Sequence, residues 1–126
     1  MIGVQVEEGE ENVVREFFEL FKTPWEFFRE GHIYPVVLST RGDSAPSNTR
    51  LCILYSSGQT AFDNENRIGV RPMSENGALC RCGEKPLPLY GKVSSPGAAS
   101  GGATRLRMSG GDAIAIEIND NGRTTV

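Results

Sequence analysis

The stretch NVVREFFELFKTPWEFFREG, residues 12–31, decides how the fold of this chain begins. Its first half repeats apolar residues at the i, i+3, i+4 and i+7 spacing of one helical face. These residues are Val14, Phe17, Phe18 and Phe21. Asn12 suits the N-cap, because its side-chain oxygen can accept from a free backbone N–H. The spacing therefore predicts a helix from Asn12 to near Lys22 with one broad apolar face.

The second half of the same stretch carries a helix start signal of its own. Thr23 and Glu26 have the spacing of a capping box, and Pro24 stands at the first helical position, where its missing N–H is harmless. Gly31 suits a left-handed helix end. The pattern predicts a second short helix and one apolar face shared across the junction by Phe17, Phe21 and Trp25. That face has two alternative partners, the chain's own sheet or a separate domain.

After Gly31 the apolar residues follow the period of strands. The sequence predicts strands over residues 33–40, 51–55, 78–82, 87–93, 105–108, 113–118 and 123–126, with residues 56–76 mostly loop. The clearest strand alternates isoleucine with small or acidic residues, at Ile114, Ile116 and Ile118. Turn chemistry, NDNG at residues 119–122, then returns the chain.

These elements predict an α+β fold, in which the N-terminal helical pair packs on a mixed, mostly antiparallel β-sheet. A small doubly wound α/β fold is less favoured, because no second helical period follows residue 31. The 126 residues suit one domain. We predict a flexible acidic lead-in over residues 1–11 and a single α+β domain over residues 12–126. The closing strand has four residues and no further turn, which indicates the N-terminal part of a longer protein.

Charge and composition restrict the environment of the protein. The net charge of −3 gives no reason to expect nucleic acid or an anionic membrane as a partner. No run approaches the roughly 18 apolar residues that a membrane span needs. Residues 1–9 lack the basic start and apolar core of a signal peptide. The sequence therefore predicts a cytoplasmic protein with reduced thiols.

The residues that carry chemistry are few. His32 is the single histidine, so neither a catalytic triad nor a histidine-rich metal site can be assembled, and we expect it to cap carbonyl groups after Gly31. Cys80 and Cys82 share one face of a predicted strand, and Cys52 is the only other thiol. Because four ligands at suitable spacing are lacking, we predict that these thiols are reduced and metal-free. No catalytic, cofactor-binding or metal-binding residue is predicted, and no cofactor is required.

Three stretches carry a family resemblance. They are FFELFKTPWEFF (residues 17–28), VVLS (36–39) followed by LCILYSS (51–57), and PLPLYGK (86–92). In order and character they resemble the N-terminal region of bacterial proteins whose later part looks like a polysaccharide deacetylase catalytic domain. The resemblance implies a parent protein that is a metal-dependent hydrolase of N-acetylated sugars, with an Asp and two His as metal ligands. No residue here matches those motifs, so the implied catalytic domain would lie beyond Val126.

The resemblance leads to a functional expectation with one main competitor. We expect a non-catalytic accessory domain of a carbohydrate-processing protein, for docking or substrate presentation, with the C-terminal catalytic domain as its partner. The competitor is a self-associating module without a ligand, which would form a homo-oligomer. A free-standing enzyme is least favoured, because a single His leaves few general bases. An accessory domain should show a concave polar pocket with an exposed aromatic, and an associating module an apolar patch of roughly several hundred Å².

Overall fold

The computed structural model describes residues 1–43, 46, 49–97, 103–108, 113–120 and 122–126, and for residues 82, 103–108, 113–115 and 120 the backbone alone. No helix in this part of the chain is long and apolar enough to cross a membrane. In chain order the described elements are β1 (Ile2–Gln5), α1 (Glu11–Phe21), β2 (Trp25–Phe27), β3 (Val36–Ser39), β4 (Leu51–Leu54), α2 (Ala61–Glu65), β5 (Val70–Ser74), β6 (Ala78–Cys82), β7 (Lys85–Leu89), β8 (Val93–Pro96), β9 (Ala103–Met108), β10 (Ala113–Asp120) and β11 (Arg123–Thr125).

Nine of these strands form one mixed sheet in the order β2-β1-β3-β4-β11-β10-β9-β6-β7, and β5 pairs with β8 separately. From β2 to β11 neighbouring strands are parallel. From β11 to β7 they are antiparallel. The predicted α+β class and mixed sheet agree with this strand-rich architecture. The prediction of a mostly antiparallel sheet holds only for its second half.

Helix α1 lies on one face of the parallel half. Val14 and Phe18 are buried there against Val4 and Val6. The ring of Phe18 stacks on that of Trp25 in β2, with centroids 5.0 Å apart. The helical period seen in the sequence therefore does create a buried line, although a narrower one than predicted.

The ends of α1 differ from the expectation of an Asn12 cap. The helix begins at Glu11, and the N-cap residue Glu10 makes no capping hydrogen bond with its side chain. At the other end Lys22 takes a left-handed conformation, with φ of 48°, and donates its N–H to the carbonyl of Phe18 at 3.0 Å.

The predicted second helix is wrong, because Trp25–Phe27 form strand β2. Thr23 does not make a capping box, since its hydroxyl donates to the carbonyl of Phe21 at 3.3 Å. Strand β2 lies parallel to β1, and the N–H of Phe28 donates to the carbonyl of Val4 at 2.9 Å. A two-turn helix is only marginally stable on its own. Pairing with β1 therefore outweighs the local helix signals.

The predicted buried face of Phe17, Phe21 and Trp25 is also wrong. Phe17 is 48% exposed and Phe21 is 62% exposed, whereas Trp25 is half-buried in the sheet. Because Trp25 belongs to strand β2, its ring contacts α1 from the sheet, at Phe18, and does not extend the apolar face of the helix. The side of α1 that carries Phe17 and Phe21 is left in solvent.

The flexible lead-in predicted for residues 1–11 is wrong at β1, which lies between β2 and β3 in the sheet. Val4 is almost completely buried, and Val6 just beyond the strand is buried as well. Four of the five residues at positions 7–11 are glutamates, and they follow the strand. The composition of residues 1–11 as a whole is therefore acidic, although the strand itself is mostly apolar. The boundaries of the single domain beyond this segment stay a prediction.

The opposite face of the parallel half holds a second cluster, in which Tyr34, Val37 and Cys52 are buried. The Tyr34 ring lies over Gly3 of β1 so closely that a Cβ there would be 2.7 Å from the ring. Only a residue without a side chain fits beneath this ring.

In the second half of the chain, the strand prediction for residues 78–82 is confirmed as β6, and residues 113–118 fall within β10. The side chain of Ile114 lies outside the described residues, as does the turn residue Asn121. Residues 56–76, predicted as mostly loop with interruptions only at residues 61–62 and 68–70, contain helix α2 and strand β5. A capping box starts α2, in which the N–H of Asp63 donates to Thr60 Oγ1 at 3.1 Å and the N–H of Thr60 to Asp63 Oδ2 at 2.8 Å.

Candidate binding cleft

A cleft of about 590 Å³ opens where the carboxyl end of β4 meets the segment between β7 and β8. Its lining has two parts, which we call the floor and the rim. The floor comprises five apolar residues, and the rim comprises two tyrosines, three serines, a lysine, a threonine and a glutamate. The volume falls within the roughly 300–1,000 Å³ typical of small-molecule sites. The floor is formed by Ile53, Leu54, Leu89, Val93 and Val126.

The two tyrosines stand at the ends of strands. Tyr55 directly follows β4 and is held by its backbone N–H, which donates to the carbonyl of Ser39 at 2.8 Å. Tyr90 directly follows β7 and precedes Gly91, whose φ of 79° turns the chain. Tyr55 is 66% exposed and Tyr90 is 87% exposed. Each backbone is fixed while each ring remains available to a ligand.

Polar contacts join the walls of the cleft. The hydroxyl of Ser94 donates to the carbonyl of Ser57 at 2.5 Å, which ties β8 to the loop after β4. At the opposite side Thr40 donates its hydroxyl to Glu10 Oε2 and accepts the N–H of Glu7 at 3.1 Å. These bonds connect the start of α1 to the end of β3. The cleft therefore has a fixed frame of hydroxyl and carboxylate groups around an apolar floor.

Lys92 supplies the cationic group of the rim. Its Nζ lies 3.9 Å from Glu75 Oε2, and both side chains are exposed. Such an exposed pair is weak, so the ammonium remains free to turn toward a bound molecule. None of the described lining residues is a histidine or cysteine, and the rim has a single carboxylate, that of Glu10. The described lining residues therefore offer hydroxyl, ammonium and carboxylate groups beside apolar side chains, with no carboxylate pair and no histidine-based pair among them.

His32 is not among the residues that line this cleft, and it lies beside Tyr34 in the segment between β2 and β3. The expectation that it caps a helix end is wrong, because no helix precedes it and its Nδ1 lies 3.4 Å from Glu26 Oε1. The hydroxyl of Tyr34 also donates to Glu26 Oε1, at 2.8 Å, and accepts the N–H of Arg29 at 3.3 Å. The structure thus gathers a carboxylate, a phenol and an imidazole that the sequence patterns did not connect.

This cluster shifts the pKa of two groups. The hydrogen bond from Tyr34 lowers the pKa of Glu26, with smaller contributions from His32 and Arg29. Burial raises the pKa of Tyr34, and its bond to Glu26 adds to the effect. Both shifts favour the charged carboxylate bonded to a neutral phenol. These contacts connect β2 to the segment before β3 and so fix the loop between the two strands.

The cysteines show no arrangement for catalysis. Cys52 and Cys80 are free and buried, and the thiol of Cys80 contacts the carbonyl of Leu87 at 3.3 Å. Burial raises the pKa of Cys52 to about 11, so this thiol is a poor nucleophile near neutral pH. The Cys82 side chain lies outside the described part, which contains no group of three or more potential metal ligands. That the thiols are reduced and metal-free stays a prediction.

The sequence patterns missed the cleft entirely. Tyr55 closes the apolar run LCILY and reads as part of a buried strand, although the strand ends one residue earlier. For Tyr90 the sequence does contain a turn signal, because Gly91 follows it directly after the PLPL run at residues 86–89. Nothing in the sequence places residues 10, 40, 55 and 90 side by side.

Comparison with known proteins adds no relative. No family model matches the chain, and neither a curated protein nor a solved structure matches it significantly.

Proposed function

We propose that this chain is a non-catalytic accessory domain that binds neutral carbohydrate in the cleft between Tyr55 and Tyr90. By this proposal it serves a carbohydrate-processing protein of the polysaccharide deacetylase type, for docking or substrate presentation. The observation that carries the proposal is the pair of exposed tyrosines at the rim of a cleft with an apolar floor.

The chemistry of a sugar ring fits these groups. One face of a pyranose presents C–H groups, which stack on an aromatic ring and remove apolar area from water. Its hydroxyl groups project from the ring edge, where they can exchange hydrogen bonds with Ser56, Lys92 and Glu10 at the rim. A tyrosine supplies both a flat apolar body and a polar tip, which explains why this residue type suits the site.

The position of the cleft agrees with a binding role. It lies beside the carboxyl end of β4, and ligands of sheets with parallel strands bind preferentially outside such ends. The net charge of the chain is small, so a neutral ligand needs no strong counter-charge. A single carboxylate on the rim supports binding over hydrolysis, because glycoside hydrolysis commonly uses two.

Isothermal titration calorimetry with N-acetylglucosamine oligomers tests the proposal, with cellulose oligomers as the comparison for the acetamido group. Tyr90→Ala and Tyr55→Ala should each weaken binding about tenfold, since one stacked ring contributes roughly 1 kcal/mol or more. Leu20→Ala is the matched control, because it also removes a large exposed apolar side chain but lies on α1. It should leave binding unchanged.

Two results would overturn the proposal. One is the absence of heat or of chemical-shift change with either oligomer at about millimolar concentration. The other is binding that persists in both tyrosine variants. A parallel assay for acetate release, with and without added divalent metal, should show no turnover. Metal-dependent release that disappears in His32→Ala would contradict the non-catalytic role itself.

A further inference from the structure

Helix α1 has an apolar side that is exposed in the structure. Val13 is 68% exposed and Leu20 is 80% exposed, while Phe17 and Phe21 are about half to two-thirds exposed. These four residues are called the α1 stripe below. Phe17 is its centre, because Val13, Leu20 and Phe21 lie four, three and four residues away, on neighbouring turns of the helix. The rings of Phe17 and Phe21 already touch, with centroids 4.7 Å apart.

The surroundings of α1 show which way the stripe faces. On one flank the guanidinium of Arg15 lies 5.1 Å from the centre of the Phe27 ring, so this flank of the helix is nearest to β2. On the other flank Glu10 accepts a hydrogen bond from Thr40, just after β3. The stripe is on this second flank, beside the part of the sheet that carries β3 and β4. Ile53 of β4 is half-buried on the same sheet face, since its register partner is Leu38, which packs against the α1 cluster.

The exposed area is comparable to the largest apolar patch of a typical monomer, and such patches are often functional. With side-chain areas of roughly 150–250 Å² for aromatics and somewhat less for Val and Leu, the α1 stripe exposes on the order of 400 Å². Two copies joined through it would bury about 800 Å² from these residues alone. Stable interfaces bury about 1,200–2,000 Å², so neighbouring residues must contribute and the complex should be of modest affinity.

We infer that the α1 stripe joins two copies of this chain, with their α1 helices antiparallel. The stripe extends equally on both sides of Phe17, so a two-fold axis there places Val13 of one copy against Phe21 of the other. Charge selects the same orientation. Acidic residues precede and begin the helix, at Glu7, Glu8, Glu10 and Glu11, and Lys22 follows its last turn.

An antiparallel pair brings each Lys22 near the acidic start of the other helix. It also places the positive N-terminal end of each helix dipole beside the negative C-terminal end of the other. A parallel pair would place acidic start on acidic start. The spacing along the helix fits this pairing, because Lys22 lies twelve residues after Glu10, about 18 Å along the axis, with Phe17 near the middle.

Sedimentation velocity on the full chain from about 1 to about 500 µM tests the pairing. The wild-type protein should pass from monomer to dimer within this range. Leu20→Glu should raise the dissociation constant at least about tenfold. It should not disturb folding, because Leu20 is largely exposed and Glu is a good helix former. Ile33→Glu, at an equally exposed apolar residue on a loop, is the matched control and should dimerise normally.

Cysteine cross-linking tests the orientation. A mixture of Val13→Cys and Phe21→Cys chains should form a disulfide-linked heterodimer under mild oxidation, whereas Val13→Cys alone should not link to itself. A wild-type chain that stays monomeric throughout would overturn the inference and assign the face to a different partner, such as a basic amphipathic helix. Self-linking of Val13→Cys, or normal dimerisation of Leu20→Glu, would overturn it as well.

Discussion

Tyr34 shows how one residue can fix a sheet. Its ring lies on the backbone of Gly3, and a Cβ at that glycine would be 2.7 Å from the ring. Its hydroxyl donates to Glu26 in the middle of β2, so the same side chain joins β1, β2 and the segment before β3. The loop between β2 and β3 is thereby held on the face opposite α1.

Gly3→Ala should destabilise the protein by about 1–3 kcal/mol, because the added methyl forces the buried ring of Tyr34 out of place. Urea unfolding measures the change. Gly58→Ala is the matched control, since a Cβ at Gly58 meets no atom within 4 Å. It should leave the midpoint nearly unchanged, and an equal loss in both variants would show that Tyr34 is not tightly seated.

The Glu26 carboxylate should make stability depend on pH in the acid range. Its pKa in the folded chain is lower than the ordinary 4.5, first because Tyr34 donates to it. A lowered pKa stabilises the fold fully above that ordinary value, and the contribution is lost as pH falls through the folded pKa. The urea midpoint of Glu26→Gln should therefore lie below that of wild type near neutral pH, and the gap should narrow below pH 4.5.

Glu30→Gln provides the comparison for this experiment, because it removes an exposed carboxylate four residues further along, in the loop that follows β2. Its midpoint should follow that of wild type across the whole range. Tyr34 should make stability depend on pH in the alkaline range, because its pKa is raised above 10.0. Its contribution to the free energy of unfolding is fully present below pH 10.0 and is lost as pH rises through the folded pKa. A Glu26→Gln gap that stays constant from neutral to acid pH would contradict the assigned cluster.

Helix α1 divides its aromatic residues between two environments. Phe18 is buried against Val4, Val6 and Val14, while Phe17 beside it is about half exposed. The stability of this element should therefore depend on the narrow buried line, and the α1 stripe should contribute to association instead. The two neighbouring phenylalanines separate these roles within one helix.

Phe18→Ala should cost about 3–5 kcal/mol, as expected for a buried aromatic side chain. Phe17→Ala should cost about 1 kcal/mol, near the average for a substitution at a partly exposed residue. Urea midpoints at a protein concentration low enough to keep the chain monomeric separate the two. Thr23→Ala should have a small effect, because Thr23 makes one exposed hydrogen bond and no capping box. Equal losses for the two phenylalanines would contradict the placement of α1.

Strand β7 shows how an edge of the sheet is protected. It is the last strand of the nine, and two of its five residues, Pro86 and Pro88, have no N–H to donate. Both belong to the same side of the strand, because alternate residues direct their backbone groups alike. A proline directed at β6 would remove a hydrogen bond from the ladder, and β6 pairs with β7 along all five residues. We therefore expect both prolines at the outer edge, where they offer no N–H donor to a further strand.

At the scale of the whole molecule, the sheet joins a parallel half to an antiparallel half through β11, which is parallel to β4 and antiparallel to β10. The cleft of Tyr55 and Tyr90 lies where the end of β4 meets the β7–β8 segment. In the parallel half, β1 pairs with β2 on one side and with β3 on the other, and helix α1 forms the crossover from β1 to β2.

Removal of residues 1–6 should therefore abolish cooperative unfolding, because it takes away β1 and the two valines on which α1 packs. Circular dichroism during thermal unfolding measures this. Removal of Met1 alone, which is exposed and precedes the strand, should be tolerated. A shortened chain that still unfolds cooperatively would mean that the segment is a dispensable lead-in.

The elements that the sequence by itself determined are those with local causes. The period of α1, the apolar run of β4, the strand over residues 78–82 and the hairpin of β10 and β11 each have signals within a dozen residues. Tertiary structure decided the elements whose stability comes from distant partners. Strand β2 carries helix signals but pairs with β1, and β1 is a strand because β2 and β3 flank it.

The same distinction applies to the surface. Helical spacing groups Phe17 with Phe18, but only the position of α1 on the sheet buries one and exposes the other. The cleft brings together residues 10, 40, 55 and 90, which come from four separate segments. The physical reason is that helical periodicity acts between residues a few positions apart, whereas strand pairing and cleft formation join residues distant in sequence. The sequence alone therefore determined where α1 and most strands form, and the tertiary structure decided which of their side chains remain available for binding.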